Sequence, residues 1–208
     1  MRIGLMGGTF DPIHYGHLFL AEEARVRCRL DQVIFFPNHQ PAHKQGKKAH
    51  LDPRTRYELT ALAIRDNPYF QISRIEIDRS GPSYAFDTLH RFQDQFQAEL
   101  GQEVELFYIV GADSMEEVLT WYRGAELFDL CRFIAGTRPG YSLEVARAQL
   151  TPQQAARVEW LEIPGLHIAS SALRQRVQAG LPIRYLTPDA IVEEIVQRGL
   201  YRDSQAIS

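Results

Sequence analysis

The sequence predicts an α/β fold in which a doubly wound, mostly parallel sheet carries helices on both faces and is followed by C-terminal helices. Two observations indicate this fold. Short apolar runs alternate with longer segments of helical period along the chain, a pattern typical of parallel sheets that are covered by helices. Glycine-rich and polar segments follow the apolar runs, as loops do at the carboxyl edge of such a sheet.

Six runs are predicted as strands because they are short, apolar and bounded by turn residues. These strands are Arg2–Met6, Gln32–Phe36, Gln71–Ile75, Glu105–Val110, Arg132–Ala135 and Val158–Ile163. In a parallel sheet the segments after all six strands converge on one edge, where ligands of Rossmann-like folds bind. The sequence therefore predicts one large site at that edge.

Helices are predicted where apolar residues recur with helical spacing. These helices are Gly16–Arg29, Pro53–Arg65, Ser83–Glu99, Ser114–Trp121 and a short one near Leu143–Leu150. Two C-terminal helices carry the clearest boundary signals. Ser170 or Ser171 is expected to cap the first, which ends at Gly180. Thr187–Pro188 is expected to open the second, which stops at Gly199.

Composition bounds the class of protein. The chain has 208 residues, of which 45% are hydrophobic and 24% charged, and this excludes a disordered or collagen-like chain. The formal net charge of −3 argues against a broad basic surface for nucleic acid. Cys28 and Cys131 cannot form a disulfide framework, and no apolar run reaches the roughly 20 residues that a membrane span needs. We expect a cytoplasmic protein without a nucleic-acid or membrane partner.

The segment after the first strand has the features of an anion site. Two glycines, Gly7 and Gly8, allow a sharp turn and a close approach of the backbone to a ligand. The next helix starts close by, so its N–H groups and its dipole face the same place. His14 and His17 could donate hydrogen bonds to phosphate oxygens there, together with Thr9. The alternative is a glycine turn in which both histidines only cap the helix.

A second anion cradle is predicted after the sixth strand. Ser170 and Ser171 stand at a helix start, and Arg174 follows one turn later. The alternative is an ordinary serine cap with a solvated arginine. Lys44 and Arg138 follow other strands and would add two cations to the same crevice. Two cradles with flanking cations suit a triphosphate that meets a second phosphorylated substrate.

Other polar and aromatic residues after the strands could contact the same ligands. Asp113 could accept from a ribose or a base, or merely cap the helix that follows it. Trp121 and Tyr122 could offer a face for a flat ring, although a Trp at a helix end often belongs to the core. Thr88 and Tyr84 could touch the ligand, or simply form the first turn of the third helix.

The histidines also raise the question of a metal site. Five of the seven lie in the first 50 residues: His14, His17, His39, His43 and His50. Their spacing matches no zinc signature, and the neighbouring Lys44 would repel a cation, so no protein-held metal is predicted. The sequence has no Gly-x-Ser-x-Gly elbow and no cysteine in a glycine turn. Group transfer by direct displacement is therefore favoured over covalent catalysis.

Two motifs resemble a known superfamily. Residues 7–17, Gly-Gly-Thr-Phe-Asp-Pro-Ile-His-Tyr-Gly-His, resemble the His-x-Gly-His signature of nucleotidyltransferases. Residues 168–174, Ile-Ala-Ser-Ser-Ala-Leu-Arg, resemble the second signature of that superfamily, Ile-Ser-Ser-Thr-x-x-Arg. Residues 41–44, 83–89 and 111–114, with Trp121, resemble the bacterial nicotinate-nucleotide adenylyltransferases. The likeness covers nearly the whole chain.

The resemblance implies a reaction. It implies a single nucleotidyltransferase domain, residues 1–208 with a helical part at about 170–200, that transfers the adenylyl group of ATP to nicotinate mononucleotide. The products are nicotinate adenine dinucleotide and pyrophosphate, formed by in-line displacement without a covalent intermediate. Mg²⁺ would be held mainly by ATP, and the chain would act as a monomer or a homodimer.

The resemblance also implies roles for individual residues. Those implied as catalytic are His14, His17 and Arg174. Those implied for ATP and its phosphates are Gly8, Thr9, Phe10, Lys44, Arg138, Ser170 and Ser171. Those implied for nicotinate mononucleotide are His43, Tyr84, Thr88, Asp113, Trp121 and Tyr122.

The chain departs from the family pattern at three positions. Ala169 replaces a serine and Ser171 a threonine of the second signature, and Ala85 replaces a common threonine. Two hydroxyls remain in the signature, so activity is expected to survive, whereas Ala85 weakens the assignment of the nicotinate contacts. Four alternatives stay open at this point: nicotinamide mononucleotide as the acceptor, phosphopantetheine as the acceptor, a regulator that binds nucleotides without catalysis, and a zinc hydrolase.

Overall fold

The computed structural model describes residues 1–41, 49–79, 81–101, 104–137, 143–164 and 168–202. Its strands are β1 (Arg2–Gly8), β2 (Gln32–Pro37), β3 (Gln40–Pro41), β4 (Phe70–Ile72), β5 (Pro82–Ser83), β6 (Glu105–Gly111), β7 (Arg132–Thr137) and β8 (Val158–Glu162). Six of them form one sheet in the order β4-β2-β1-β6-β7-β8, in which every pair is parallel. β3 and β5 form a separate parallel pair.

The helices are α1 (Tyr15–Arg27), α2 (Pro53–Ile64), α3 (Ala85–Leu100), α4 (Ala112–Glu117), α5 (Leu127–Leu130), α6 (Glu144–Ala148), α7 (Pro152–Ala155), α8 (Ser170–Gln178) and α9 (Asp189–Gln197). Two short 3₁₀ turns occupy Val118–Thr120 and Gly124–Glu126. None of the helices in the described ranges is both long and apolar enough to cross a bilayer.

The sheet separates two apolar layers because successive side chains of a strand point to opposite faces. In β2, Val33 and Phe35 pack into the layer formed with α1, α2, α8 and α9. Ile34 and Phe36 pack into the other layer, formed with α3, α4 and α5. The doubly wound sheet with helices on both faces is therefore confirmed.

The strand order explains where the crevice lies. The chain builds β1, β2 and β4 outward in one direction and then β6, β7 and β8 in the other. The reversal between β1 and β6 is a topological switch point, where the loops of neighbouring strands diverge and leave room for a ligand. The prediction that the strands end at one edge is confirmed, since all six are parallel.

Two predicted elements are wrong in detail. The strand predicted at 71–75 ends at Ile72, because the chain then turns, with Asp78 N–H donating to Arg74 O at 3.0 Å. The helix predicted from Ser114 already starts at Ala112 and becomes a 3₁₀ turn after Glu117. A further short helix, α7, was not predicted.

The predicted serine cap of α8 is also wrong. Ala169 occupies the cap position in extended backbone, and α8 begins at Ser170. The Ser170 hydroxyl donates instead to the carbonyl of Pro12, at 2.9 Å. A serine at this position therefore serves a contact between segments far apart in the sequence rather than its own helix end.

A fully buried arginine joins the ends of the first two strands. Arg56 of α2 is 0% exposed. Its Nε donates to Leu51 O at 3.2 Å, and its Nη1 donates to Thr9 O at 2.7 Å and to Asn38 Oδ1 at 3.3 Å. Its Nη2 donates to Asn38 O at 2.8 Å and to His39 O at 3.1 Å. The five donors that a guanidinium carries thus bind the start of α2 to the loops after β1 and β2.

We expect Arg56→Met to lower the free energy of unfolding by about 3 kcal/mol or more, because the change leaves several buried carbonyl groups without donors. Urea denaturation measures this difference. The matched control is Arg54→Met on the same helix, whose side chain is 81% exposed and pairs with Glu58. That change should lower the free energy of unfolding by about 0.5 kcal/mol or less. Equal losses for the two variants would contradict the structural role of Arg56.

Candidate active site

A cavity of about 820 Å³ opens at the carboxyl edge of the sheet, at the switch point. The ends of β1, β2, β6 and β7 contribute to its wall, and so do the first residues of α1, α3 and α8. Cavities of this size hold ligands as large as nucleotides. The start of a helix presents N–H groups and a positive dipole end, so three helices direct partial positive charge toward the cavity.

Side chains from other segments bind carbonyl groups of the turn between β1 and α1. Four carbonyls, those of residues 9, 11, 12 and 13, accept hydrogen bonds from side chains outside the turn. These bonds are Arg56 Nη1 to Thr9 O at 2.7 Å, Arg174 Nη1 to Asp11 O at 2.6 Å, Ser170 Oγ to Pro12 O at 2.9 Å and Thr187 Oγ1 to Ile13 O at 2.8 Å. Four carbonyl oxygens of the turn are therefore already engaged by donors, which reduces their repulsion of an anionic ligand.

The carboxylate of Asp11 anchors the same turn and is buried. Its Oδ1 accepts from Tyr201 Oη at 2.9 Å, and its Oδ2 accepts from the backbone N–H of His50 at 2.8 Å. Arg174 Nη1 lies 3.9 Å from Oδ2. Burial raises the pKa of Tyr201, and the charge of Asp11 raises it further, so the phenol keeps the proton that it donates. The turn is thereby tied to the C-terminal end of the described chain.

Two stacked histidines stand at the start of α1. The His14 and His17 ring centroids are 3.7 Å apart, and His17 Nδ1 accepts from the His14 backbone N–H at 3.3 Å. A neutral imidazole that accepts at Nδ1 carries its proton on Nε2. Burial lowers the pKa of His14 to about 4, so that ring is neutral at pH 7. Phe10 packs edge-on against His17 at 5.1 Å, which limits the positions this ring can take.

The side of the cavity next to α3 is more aromatic. Trp121 and Tyr108 line it with their rings 6.1 Å apart in an edge contact. Thr88 also lines it, and its hydroxyl contacts Glu76 Oε1 and, at 2.9 Å, Tyr84 O. Burial raises the pKa of Tyr108, so this phenol is uncharged. A flat ring fits this side better than a phosphate does.

Nine residues predicted for the site meet at the cavity wall: Gly8, Thr9, Phe10, His14, His17, Thr88, Asp113, Trp121 and Ser170. Arg174 stands behind the turn, where it donates to Asp11 O. Ser171 is exposed on α8. Tyr84 and Tyr122 pack on each other at 4.8 Å; neither is among the described lining residues, although their chain neighbours Ser83, Ala85 and Trp121 are. His43, Lys44 and Arg138 lie outside the described residues.

The structure leaves both predicted roles of Asp113 open, the contact with a ligand and the local cap of a helix. Its Oδ1 accepts from the N–H of Ser114 at 2.9 Å, which is a local contact in the first turn of α4. The residue nevertheless lines the cavity and is exposed. A Cβ at Gly111 would lie 2.5 Å from Asp113 Oδ1, so a larger residue there would require the Asp113 carboxylate to move.

Sequence reasoning missed several residues of the wall and its support. The missed wall residues are Asn38, Glu76, Ser83, Tyr108 and Glu117. Arg56 and Thr187 support the turn and were not singled out either. Arg56 lies with Thr55 and Thr60 among the buried positions of α2, and the sequence pattern carried no signal for its burial. Nothing in the pattern pointed to Glu76, which lies in a turn after a short strand.

No cluster of three or more His, Cys, Asp or Glu side chains that could hold a metal occurs among the described residues. Among the acids of the cavity wall, Asp113 and Glu117 lie on α4, whereas Glu76 lies in the turn after β4. The described part of the protein therefore offers no cage for a resident metal ion. A divalent cation that enters with a triphosphate needs no such cage, since phosphate oxygens and water bind most of it.

The geometry can be compared with known proteins. The Cytidylyltransferase-like family model matches residues 5–176. A probable nicotinate-nucleotide adenylyltransferase of Moorella thermoacetica is 48% identical over 204 residues, 97% of this chain and 92% of the relative. The chain belongs to the nicotinate-nucleotide adenylyltransferase family. A probable nicotinate-nucleotide adenylyltransferase of Saccharopolyspora erythraea is also 48% identical, and the match covers 97% of this chain and 90% of the relative.

Solved structures support the fold of this family. Plasmodium falciparum nicotinic acid mononucleotide adenylyltransferase, complexed with NaAD, superposes with a TM-score of 0.74 at 16% identity and covers 96% of this chain and 97% of its own. A putative nicotinate-nucleotide adenylyltransferase from Vibrio parahaemolyticus gives a TM-score of 0.68 at 18% identity, over 98% of this chain and 96% of that one. These similarities extend over the sheet and the C-terminal helices alike.

The depressed pKa of His14 predicts a loss of stability in acid. The ring titrates near its ordinary value of 6.5 in the unfolded chain and at about 4 in the folded protein, so the unfolded state binds more protons between these values. The free energy of unfolding should fall by up to about 3 kcal/mol as the pH drops through this window. Urea denaturation from pH 7 to pH 4 measures the loss.

His14→Gln should reduce this dependence on pH, because the variant has no titrating ring at the buried position. The matched control is His90→Gln, a change at an exposed position of α3, which should keep the slope of the original protein. A His14→Gln variant with an unchanged slope would show that the ring does not carry the effect.

Proposed function

We propose that this chain transfers the adenylyl group of ATP to nicotinate mononucleotide and so forms nicotinate adenine dinucleotide and pyrophosphate, a step of NAD biosynthesis. The observation that carries the proposal is the turn between β1 and α1, whose carbonyls are tied away from a cavity that three helix starts face. Such a surface suits several phosphates at once. Membership of the family supports the choice of substrates.

ATP phosphates bind, on this proposal, between the glycine turn and the start of α8. The backbone of Gly8, Thr9 and Phe10 lies against them, and His14 and His17 donate to their oxygens as neutral rings. Arg174 adds positive charge from behind the turn, since its guanidinium already holds Asp11 O. Ser170 and Ser171 complete this end of the site, with Lys44 and Arg138 as further cations.

The pyridine nucleotide binds on the side next to α3. Trp121 and Tyr122 offer aromatic faces near the pyridine ring, and Thr88 and Tyr84 stand at the start of the helix. Asp113 contacts bound nucleotide, and His43 serves its phosphate. The N–H groups at the start of α3 have no side-chain cap, which favours a negatively charged substituent on the ring.

The chemistry needs positioning and charge stabilisation. An oxygen of the mononucleotide phosphate attacks the α-phosphorus of ATP in line; the new P–O bond forms as the bond to the bridging oxygen breaks, and pyrophosphate leaves with that electron pair. The attacking oxygen is already an anion, so no general base is required. Donors fixed before the reaction stabilise the charge that grows on the phosphate oxygens. A Mg²⁺ ion held mainly by the phosphate oxygens of ATP would neutralise part of that charge.

Pyrophosphate release from ATP and Mg²⁺ tests the proposal, with nicotinate mononucleotide, nicotinamide mononucleotide and phosphopantetheine compared in parallel. We expect a kcat/KM at least tenfold higher for the nicotinate, a difference of about 1.4 kcal/mol. Equal use of the two pyridine nucleotides would withdraw the carboxylate preference and leave the adenylyl transfer. No release with any acceptor would favour a regulator that binds nucleotides without catalysis.

A second test concerns His17. We expect His17→Ala to lower kcat by roughly 10²-fold or more, because the variant loses a donor that acts on the charge of the transition state. His90→Ala, at an exposed position of α3, should keep the original kcat. An unchanged kcat in His17→Ala would remove this residue from the mechanism.

A further inference from the structure

A buried carboxylate lies in the wall of the cavity on the side next to α3. Glu76 is 1% exposed and lines the cavity together with Thr88, Tyr108 and Trp121. The helices α1 and α8, which form the phosphate end, pack on the other face of the sheet. An ionised group that leaves water needs compensating partners. The partners of Glu76 therefore indicate what it holds in place.

Two side chains contact the carboxylate. The hydroxyl of Thr88, in the first turn of α3, donates to Glu76 Oε1, and Arg79 Nη2 lies 3.6 Å from Oε2. Arg79 also donates to the carbonyl of Pro82 in β5 and lies 3.5 Å from Asp87 of α3. Glu76 thus links the segment after β4 to both elements that form this side of the cavity.

The hydroxyl of Thr88 has only one proton. It can be donated to Glu76 or to Tyr84 O, which is 2.9 Å away, and a charged acceptor gives the stronger hydrogen bond. A hydroxyl that donates to Glu76 can only accept from a ligand in the cavity. Its orientation, and with it the first turn of α3, therefore depends on the carboxylate.

The network is incomplete in a way that a purely structural ion pair would avoid. Glu76 Oε2 and Arg79 Nε are both buried without a hydrogen-bond partner among the described residues. Unsatisfied buried groups are costly and uncommon in folded proteins. Their position beside a ligand cavity indicates that this pair is retained for what it does to the cavity wall.

We propose that Glu76 is a positioning residue for the pyridine nucleotide and that it acts through Thr88 and the first turn of α3. The inference rests on the proposed function. Glu76 fixes the orientation of the Thr88 hydroxyl and the place of the helix start, and Arg79 balances its negative charge. Loss of Glu76 should weaken binding of nicotinate mononucleotide and leave the ATP end, on the other face of the sheet, unchanged.

Steady-state kinetics of variants test the role. We expect Glu76→Ala to raise the KM for nicotinate mononucleotide about tenfold or more, with the KM for ATP within about twofold and kcat within about threefold of the original. Glu76→Gln retains an oxygen that accepts from Thr88 and should stay within about threefold in every constant. The matched control is Asp87→Asn, which changes the other carboxylate near Arg79 and should leave both KM values unchanged.

Thr88→Val distinguishes this role from direct substrate contact by the hydroxyl. If Glu76 acts through Thr88, then Thr88→Val alone raises the KM for the mononucleotide, and Glu76→Ala added to it has no further effect. A further increase in the double variant would overturn the proposal. If Glu76→Ala does not fold, which urea denaturation reveals, Thr88→Val is tested alone, and an unchanged KM for the mononucleotide overturns the proposal.

The outcomes separate the two proposals. If the original protein turns over nicotinate mononucleotide and Glu76→Ala has an unchanged KM for it, only the role of Glu76 is overturned. Equal increases of both KM values in that variant also overturn it, because they indicate a general loss of structure. Absence of wild-type turnover with nicotinate mononucleotide counts against the proposed function and against the role of Glu76 together.

Discussion

The carbonyl oxygens of the turn between β1 and α1 are held by side chains from distant segments, and this constraint organises the molecule. Four carbonyls between β1 and α1 accept from side chains of three later segments. Arg56 makes the largest of these contributions because its buried guanidinium also holds the loop after β2. The phosphate end is therefore shaped from behind, by groups that need not touch a ligand.

This arrangement gives some residues two possible duties. Ser170 and Arg174 carry the family signature, yet both donate to the turn. Their conformation links the second cradle to the first, so that the glycine turn and the start of α8 form one unit. On the other face of the sheet, the contact between Glu76 and Thr88 supports the side of the cavity next to α3. The two sides of the cavity are thus supported by separate networks, which on the proposed function allows separate effects on the two substrates.

The sequence predicted the sheet, its single binding edge and the residues of the first turn, because each rests on local patterns: apolar runs, paired glycines and a helix start. It could not predict the direction in which Ser170 points, since its partner Pro12 is 158 residues away. It also could not identify Arg56, because a charged residue in a helix reads as solvent-facing until its acceptors are known. Glu76 has the same difficulty. Residues that position others are defined by distant contacts, whereas residues that meet the ligand often sit in recognisable turns.

The bond from Thr187 to Ile13 spans 174 residues, and that from Tyr201 to Asp11 spans 190. Synthesis runs from the N-terminus, so the glycine turn leaves the ribosome long before the groups that engage its carbonyls. The sheet around β1 can form early, but the phosphate surface acquires its final shape only when α9 has docked. Contacts of such separation also slow the search for the native state. A nascent chain therefore completes this turn only after the segment that holds α9 and Tyr201 has emerged.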